Sequence, residues 1–329
     1  MSQRHDVILD VDPGNTHDDA IAMLVAGQSE EINLKGFTVT HGNNSLENCV
    51  RNALDICGTA GLEEFPVYAG MTRPMVRIKP KEKGEEGASW QKPSLPSSDL
   101  EPAEEHAVDF IIESALSSDA GGLVLIPVGP LTNIGMALVK EPKIKEGIKE
   151  IIWMGGACTV PGNVTPVAEA NSFWDPEAAK VVFNSGVPIT MAGLGLTHQA
   201  QATPEKIQEI RNLSISDQKT REMMLDILEV FRQNYKDCYD FEGAPLHDVV
   251  ALSRAINEDV FTTQKMRVDI EVNSDLTYGT TVCNIHDIDY YHDEHPYVHK
   301  GERKKNANVG LELNKELFWS IVKEKLAKY

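Results

Sequence analysis

The chain has 329 residues, room for one large domain or two ordinary ones, with 41% hydrophobic and 25% charged residues. That balance excludes wholesale disorder and fibrous repeats. Thirty-one Lys and Arg against 50 Asp and Glu leave a net charge of −19, a field that repels phosphates and excludes a generally basic nucleic-acid binder.

Short apolar runs alternate with helical patterns through the first 200 or so residues. A buried strand at 6–9 (DVIL) leads to a helix over Asp18–Gly27, a strand at 34–40 and a helix over Leu46–Ala60. A strand at 66–68, a helix at 106–116, a strand at 123–128 and a helix at 131–139 follow. The series closes with a strand at 150–154, a helix over Pro176–Phe183 and a strand at 188–192. Such alternation predicts βαβ units and a mostly parallel α/β sheet with helices on both faces. Ligands of such sheets bind beyond the carboxyl ends of the strands. Residues 79–104, rich in Lys, Glu, Gly, Ser and Pro, interrupt the rhythm as a long exposed loop. From Pro204 the chain reads as helical through Tyr239, then as strands near 266–272 and 279–285, with a last helix from Asn314. This end reads as a C-terminal helical and hairpin elaboration. His286, His292, His295 and His299 lack regular ligand spacing and read as a solvated hairpin loop.

No window approaches about 18 consecutive apolar residues, so no membrane span is expected. The opening MSQRHDVILDVD lacks the apolar core of a signal peptide. Cys49, Cys57, Cys158, Cys238 and Cys283 are scattered without a C-x-x-C pair. They imply reduced thiols and a cytoplasmic protein, not a disulfide frame or zinc site.

The strongest chemical signal is DVDPGNTHDD, which sets Asp10, Asp12, Asp18 and Asp19 within ten residues. Strand periodicity puts Asp10 and Asp12 on one face at the carboxyl end of the first strand. A helix cap explains Asp18 or Asp19 alone, but not four carboxylates that repel one another unless a cation intervenes. Hard oxygen donors point to calcium or magnesium. Other polar groups stand at strand ends. Asn43 lies in THGNN, Val128 offers only its carbonyl, and Met154 precedes two glycines. Asn163, Glu169 and Asn171 in GNVTPVAEAN suit a polyhydroxylated ligand. Downstream, His247 and Asp248 open the helical pattern VVALSRAI and bring an imidazole and a fifth carboxylate. Tyr235 and Tyr239, one helical turn apart, read equally as a cover for a base or as packing aromatics.

Together these segments resemble the calcium-dependent nucleoside hydrolases. The likeness covers nearly the whole chain: the acidic opening, GPLTNIGMAL, WMGGA, GN…E-x-N, WDPEAA, GLTHQA, the late His-Asp pair and NANVGLEL. It implies hydrolysis of the N-glycosidic bond of ribonucleosides with Ca2+ as cofactor, by an open Rossmann-like α/β fold in a single domain, 1–329, in a homodimer or homotetramer. It further implies Asp12 as metal ligand and general base, and Asp19, the Val128 carbonyl and Asp248 as the remaining protein ligands. Asp10 resembles the supporting acid, His247 the leaving-group acid, and Asp18, Asn43, Met154, Asn163, Glu169 and Asn171 the ribose-binding set. Two departures stand out. Asn15, Thr16 and His17 separate Gly14 from Asp18 where the family has one residue, and Lys83 of KGEEG stands where many members carry a histidine.

Two rival readings use the same residues. An aspartyl phosphatase would use Asp10 as its nucleophile, although Gly14 replaces the usual Thr or Val of that motif. A non-catalytic, calcium-dependent nucleoside- or sugar-binding protein would keep the cluster without turnover. No G-x-G-x-x-G follows the first strand, which leaves a nicotinamide dehydrogenase without support.

Overall fold

Alternation along HDVILDV turns Val7, Leu9 and Val11 into one hydrophobic layer and Ile8 into the other. A strand buried on both faces belongs at the centre of a sheet, and there the computed structural model places it. The structure describes residues 4–14, 18–77, 91–118, 122–287 and 304–329.

In chain order the elements begin β1 (His5–Val11), α1 (Asp18–Gly27), β2 (Ile32–Val39), α2 (Leu46–Ala60) and β3 (Val67–Ala69). Next come α3 (Ala107–Ser117), β4 (Leu123–Pro127), α4 (Thr132–Lys140), β5 (Ile148–Met154), α5 (Ala170–Trp174), α6 (Pro176–Phe183) and β6 (Ile189–Ala192). They continue with α7 (Leu194–Thr197), β7 (Gln201–Ala202), α8 (Pro204–Arg211), α9 (Gln218–Tyr239), β8 (Ala244–Pro245) and α10 (His247–Ile256). The chain finishes with β9 (Phe261–Met266), β10 (Val268–Ile270), β11 (Thr281–Cys283), β12 (Ala307–Leu313) and α11 (Lys315–Leu326).

Eight strands form the main sheet in the order β3-β2-β1-β4-β5-β6-β12-β9. All neighbours pair in parallel except β12 and β9. Helices α1, α2, α9, α10 and α11 pack together on one face, while α3, α4 and α6 pack on the other. The strand order reverses between β1 and β4, the switch point at which such sheets open a crevice.

The predicted α/β class holds, with differences at the chain's later end. The single helix expected from Pro204 is two, because Asp217 caps a new start at α9, its side chain accepting from the Lys219 and Thr220 N–H groups. β10 and β11 fall within the strands expected near 266–272 and 279–285 but pair as a separate hairpin, while β9, which the sequence reading did not expect, joins the main sheet. β12, read from sequence only as a motif, is an interior strand of the sheet. Residues 91–104 have no helix, but the segment is tied down: the Gln91 N–H donates to Asn234 Oδ1 (3.0 Å) and the Ser94 N–H to Asp226 Oδ2 (2.8 Å), both on α9. The rest of that loop, together with Asn15–His17, Lys83, His292, His295 and His299, lies outside the described residues.

Leu125 on β4 is fully buried between the strands and the α3–α4 layer. Leu125→Ala is expected to cost about 2–5 kcal/mol. Urea unfolding measures it, and a loss well below about 1 kcal/mol would contradict this packing.

Candidate active site

β1 ends at Val11, so Asp12 stands just beyond its carboxyl end, and Val128 stands likewise beyond β4. Asp12 is fully buried. Its N–H donates to Asp19 Oδ1 (2.9 Å), and its Oδ2 accepts from the Asn43 N–H (2.7 Å). The backbone crowds this carboxylate: a Cβ at Gly42 would lie 2.0 Å from Asp12 Oδ2, and one at Gly129 2.6 Å from Oδ1. Glycine is needed at both places for the loops to come this close.

Asp18 and Asp19 open α1, while His247 and Asp248 open α10. The two helix starts meet. Leu246, the residue before α10, has no capping side chain, and the Asp248 N–H donates instead to Asp18 Oδ2 (3.4 Å). Helix N-termini carry partial positive charge and favour carboxylates. They do not neutralise so many. One oxygen from each of Asp18, Asp19 and Asp248 lies within 4.8 Å of the others, and Asp12 joins them through Asp19. Burial raises the Asp18 carboxyl to about 7. Burial first, and neighbouring carboxylates second, push Asp12, Asp19 and Asp248 well above the usual range. Among the described residues the one buried Lys or Arg is Lys325, ion-paired with Glu31 and Glu324.

Asp10 Oδ1, Asp12 Oδ1 and Asp19 Oδ2 are buried without a hydrogen-bond partner among the described residues. Orphaned buried oxygens are costly unless something outside the chain satisfies them. Oxygen donors of this charge and density fit a hard divalent cation. Asp10 itself faces the α4 side, where Oδ2 accepts from Thr38 Oγ1 (2.6 Å) and Asn133 Nδ2 (2.7 Å), and burial raises it to about 7. A carboxylate buried in this way, with one oxygen already held by two donors, is badly placed to be the nucleophile of a phosphatase.

The remaining polar residues knit the strand ends together. Asn171 Nδ2 donates to the Val128 carbonyl (2.8 Å) and the Met154 carbonyl (3.0 Å). Glu169 caps α5, accepting N–H groups from Gly156 (2.7 Å), Asn171 (2.8 Å) and Ser172 (3.1 Å). Asn163 Oδ1 accepts from the Ala170 N–H (3.0 Å). Deeper, His41 Nε2 meets Thr132 Oγ1 (3.0 Å), and that hydroxyl donates to Asp175 Oδ2 (2.7 Å).

His247 is buried with both ring nitrogens engaged, Nδ1 with Thr197 Oγ1 (2.7 Å) and Nε2 with Tyr235 Oη (2.6 Å). Burial, reinforced by His198, holds the imidazole well below its ordinary value. Tyr235 is therefore more than helix packing. Tyr239 is 40% exposed and donates to the Asn163 carbonyl (3.3 Å). Phe241 completes the cluster, its ring centroid 5.9 Å from Tyr235 and 5.1 Å from His198. Sequence reasoning assigned no role to Thr197, His198 or Phe241. The first two lie in GLTHQA, while Phe241, in the turn after α9, carried no signal.

The sequence matches the family model for inosine-uridine preferring nucleoside hydrolase over residues 7–320. It is 38% identical over 330 residues, covering 99% of this chain and 98% of the other, to the pyrimidine-specific ribonucleoside hydrolase RihB of Escherichia coli O9:H4 (strain HS). Among solved structures, the plant nucleoside hydrolase PpNRh1 superposes with a TM-score of 0.84 at 27% identity, covering 99% of this chain and all of that one. A purine-preferring ribonucleoside hydrolase from Gardnerella vaginalis gives 0.82 at 30% identity, covering 98% of each chain.

Burial lowers the His41 imidazole from 6.5 to about 4. As pH falls the unfolded chain takes up this proton first, so the contribution is complete above 6.5 and is lost between there and about 4. Going from about pH 7 to about pH 5 is expected to remove about 2 kcal/mol that His41→Gln does not lose. Urea midpoints of both proteins at the two pH values measure the difference; equal losses would rule it out.

Proposed function

The chain belongs to the inosine-uridine preferring nucleoside hydrolase family and is a ribonucleoside hydrolase; we propose that it splits uridine and inosine with a calcium ion, as one domain in a homodimer or homotetramer. The observation that carries this reading is the set of unpartnered carboxylate oxygens where α1 and α10 begin. Asp12, Asp19, Asp248 and the Val128 carbonyl would hold the ion, whose positive charge steadies the ribose diol and makes a water easier to deprotonate.

Asp12 takes the proton from the attacking water. Burial among anions raises its proton affinity, as a general base requires, and the Asn43 N–H fixes its orientation. Cleavage leaves positive charge on the sugar ring, which the carboxylates of Asp18 and Glu169 stabilise. Asn43, Met154, Asn163 and Asn171 cradle the ribose. Asn163 and Asn171 are already bonded to backbone, so little order remains to be gained when the sugar arrives.

The departing base needs a proton. His247 in its protonated form supplies it: the Tyr235 hydroxyl gives its proton to the base and takes the Nε2 proton in return, and burial makes this imidazolium scarce but strongly acidic. Tyr239, at the exposed edge of the aromatic cluster, covers the base. His247 precedes Asp248 where purine-restricted members tend to carry Trp. The 38% identity to a pyrimidine-specific enzyme supports uridine as a substrate.

Asp19→Ala is expected to abolish calcium binding in a calorimetric titration and to abolish turnover, with the far-ultraviolet spectrum retained. Unchanged calcium stoichiometry would reject the ligand assignment.

Ribose release from uridine and inosine should far exceed release from their 2′-deoxy forms, because Asp18 and the metal both read the diol. His247→Ala should slow uridine by roughly two orders of magnitude or more and p-nitrophenyl riboside, whose leaving group needs no proton, far less. Equal losses on both substrates would make His247 structural, and strict purine selectivity would sink the proposed range.

A further inference from the structure

A solvent-open cavity of about 580 Å3 that His198 helps to line has no role in the hydrolysis derived above. Its wall includes Thr203 and Lys206 from the start of α8, and Lys315, Trp319 and Lys323 from α11. Three ammonium groups on one wall are unexpected in a chain of net charge −19. Glu316 is the one carboxylate on that wall, and it sits on an exposed position.

Two of the ammonium groups are held in place, while Lys315 stands on an exposed position. Glu209 accepts from Lys206 Nζ (2.8 Å) and from Lys323 Nζ (2.7 Å), one on each oxygen, which clamps α8 to α11 and leaves each lysine with further N–H donors. Lys206 also lies over the Trp319 ring, 5.7 Å from its centroid. Among the described residues no carboxylate pairs with Lys315. Both Lys206, in the first turn of α8, and Lys315, the first residue of α11, stand where positive charge opposes the helix dipole. An anion between them would relieve both conflicts. The volume exceeds what a bare oxyanion fills and lies in the range of small-molecule sites.

We propose that this cavity is a second ligand site that takes a phosphate monoester of sugar or nucleotide size, its phosphate held by Lys206, Lys315 and Lys323. Lysine binds phosphate as a compact point charge from several directions, which suits ammonium groups converging from two helices. The site borders His198, whose ring centroid is 5.8 Å from that of His247, so its occupant sits one side chain from the leaving-group machinery.

Calorimetric titration of the whole protein with ribose 5-phosphate, uridine 5′-monophosphate and inorganic phosphate tests this, with Trp319 fluorescence as a second signal. Saturable binding of one monoester per chain is expected. It should weaken by about tenfold or more in Lys315→Gln and in the Lys206→Gln/Lys323→Gln double variant. Uridine hydrolysis without added phosphate should stay unchanged in these variants, which separates the cavity from the catalytic centre. Inorganic phosphate binding as tightly as the esters, with the same dependence on the lysines, would support the anion site and identify free phosphate as its occupant. No saturable heat with any of the three, or equal affinity in wild type and variants, would overturn the proposal.

Discussion

Mutual repulsion among buried carboxylates is the constraint around which this molecule is arranged. Asp12, Asp18, Asp19 and Asp248 sit within a closed volume and are all nearly or fully buried. Two helix starts supply partial positive charge, and backbone N–H groups from Asn43, Asp12 and Asp248 supply directed donors. Neither is a full charge. The surplus explains the raised proton affinities of these groups and the orphaned oxygens, and it makes the centre fit for a cation.

Holding that arrangement needs a second tier. Asn133 alone ties three elements, donating to Asp10 and to the Val39 carbonyl while accepting from the Met71 N–H. The His41–Thr132–Asp175 chain does the same between the end of β2, the start of α4 and the start of α6. Asn171 spans the ends of β4 and β5. These side chains fix each strand end to its neighbour, and the carboxylates beside them inherit that rigidity.

The first 200 residues were legible because burial on both faces writes continuous apolar runs such as DVIL and VLIPV, and these bracket clear helices. The end of the chain was harder for local reasons. NANVGLEL contains Asn and Gly, which disguise β12, although Val309 and Leu313 are buried. α5 and α7 are too short to show a period. Among the site residues, the acids could be found because like charges crowd within ten positions. Glu169 looked like a free ligand in sequence, whereas its carboxylate already caps α5. Tyr235 could not be told from a packing residue until His247, a dozen residues on, folded against its hydroxyl. Thr197, His198 and Phe241 gain meaning only through tertiary proximity.

The contact between Asp18 and the start of α10 joins positions 230 residues apart. Such a pairing comes late in a growing chain, since the loop it closes holds five of the eight strands of the main sheet. During synthesis the acidic opening of α1 therefore exists for most of the chain's length without Asp248 and without the α10 dipole. The crowding that defines the centre is deferred until the second helix is in place to share it. The acidic cluster is therefore complete only once α10 is in place, with β9, β12 and α11 still to follow in the chain.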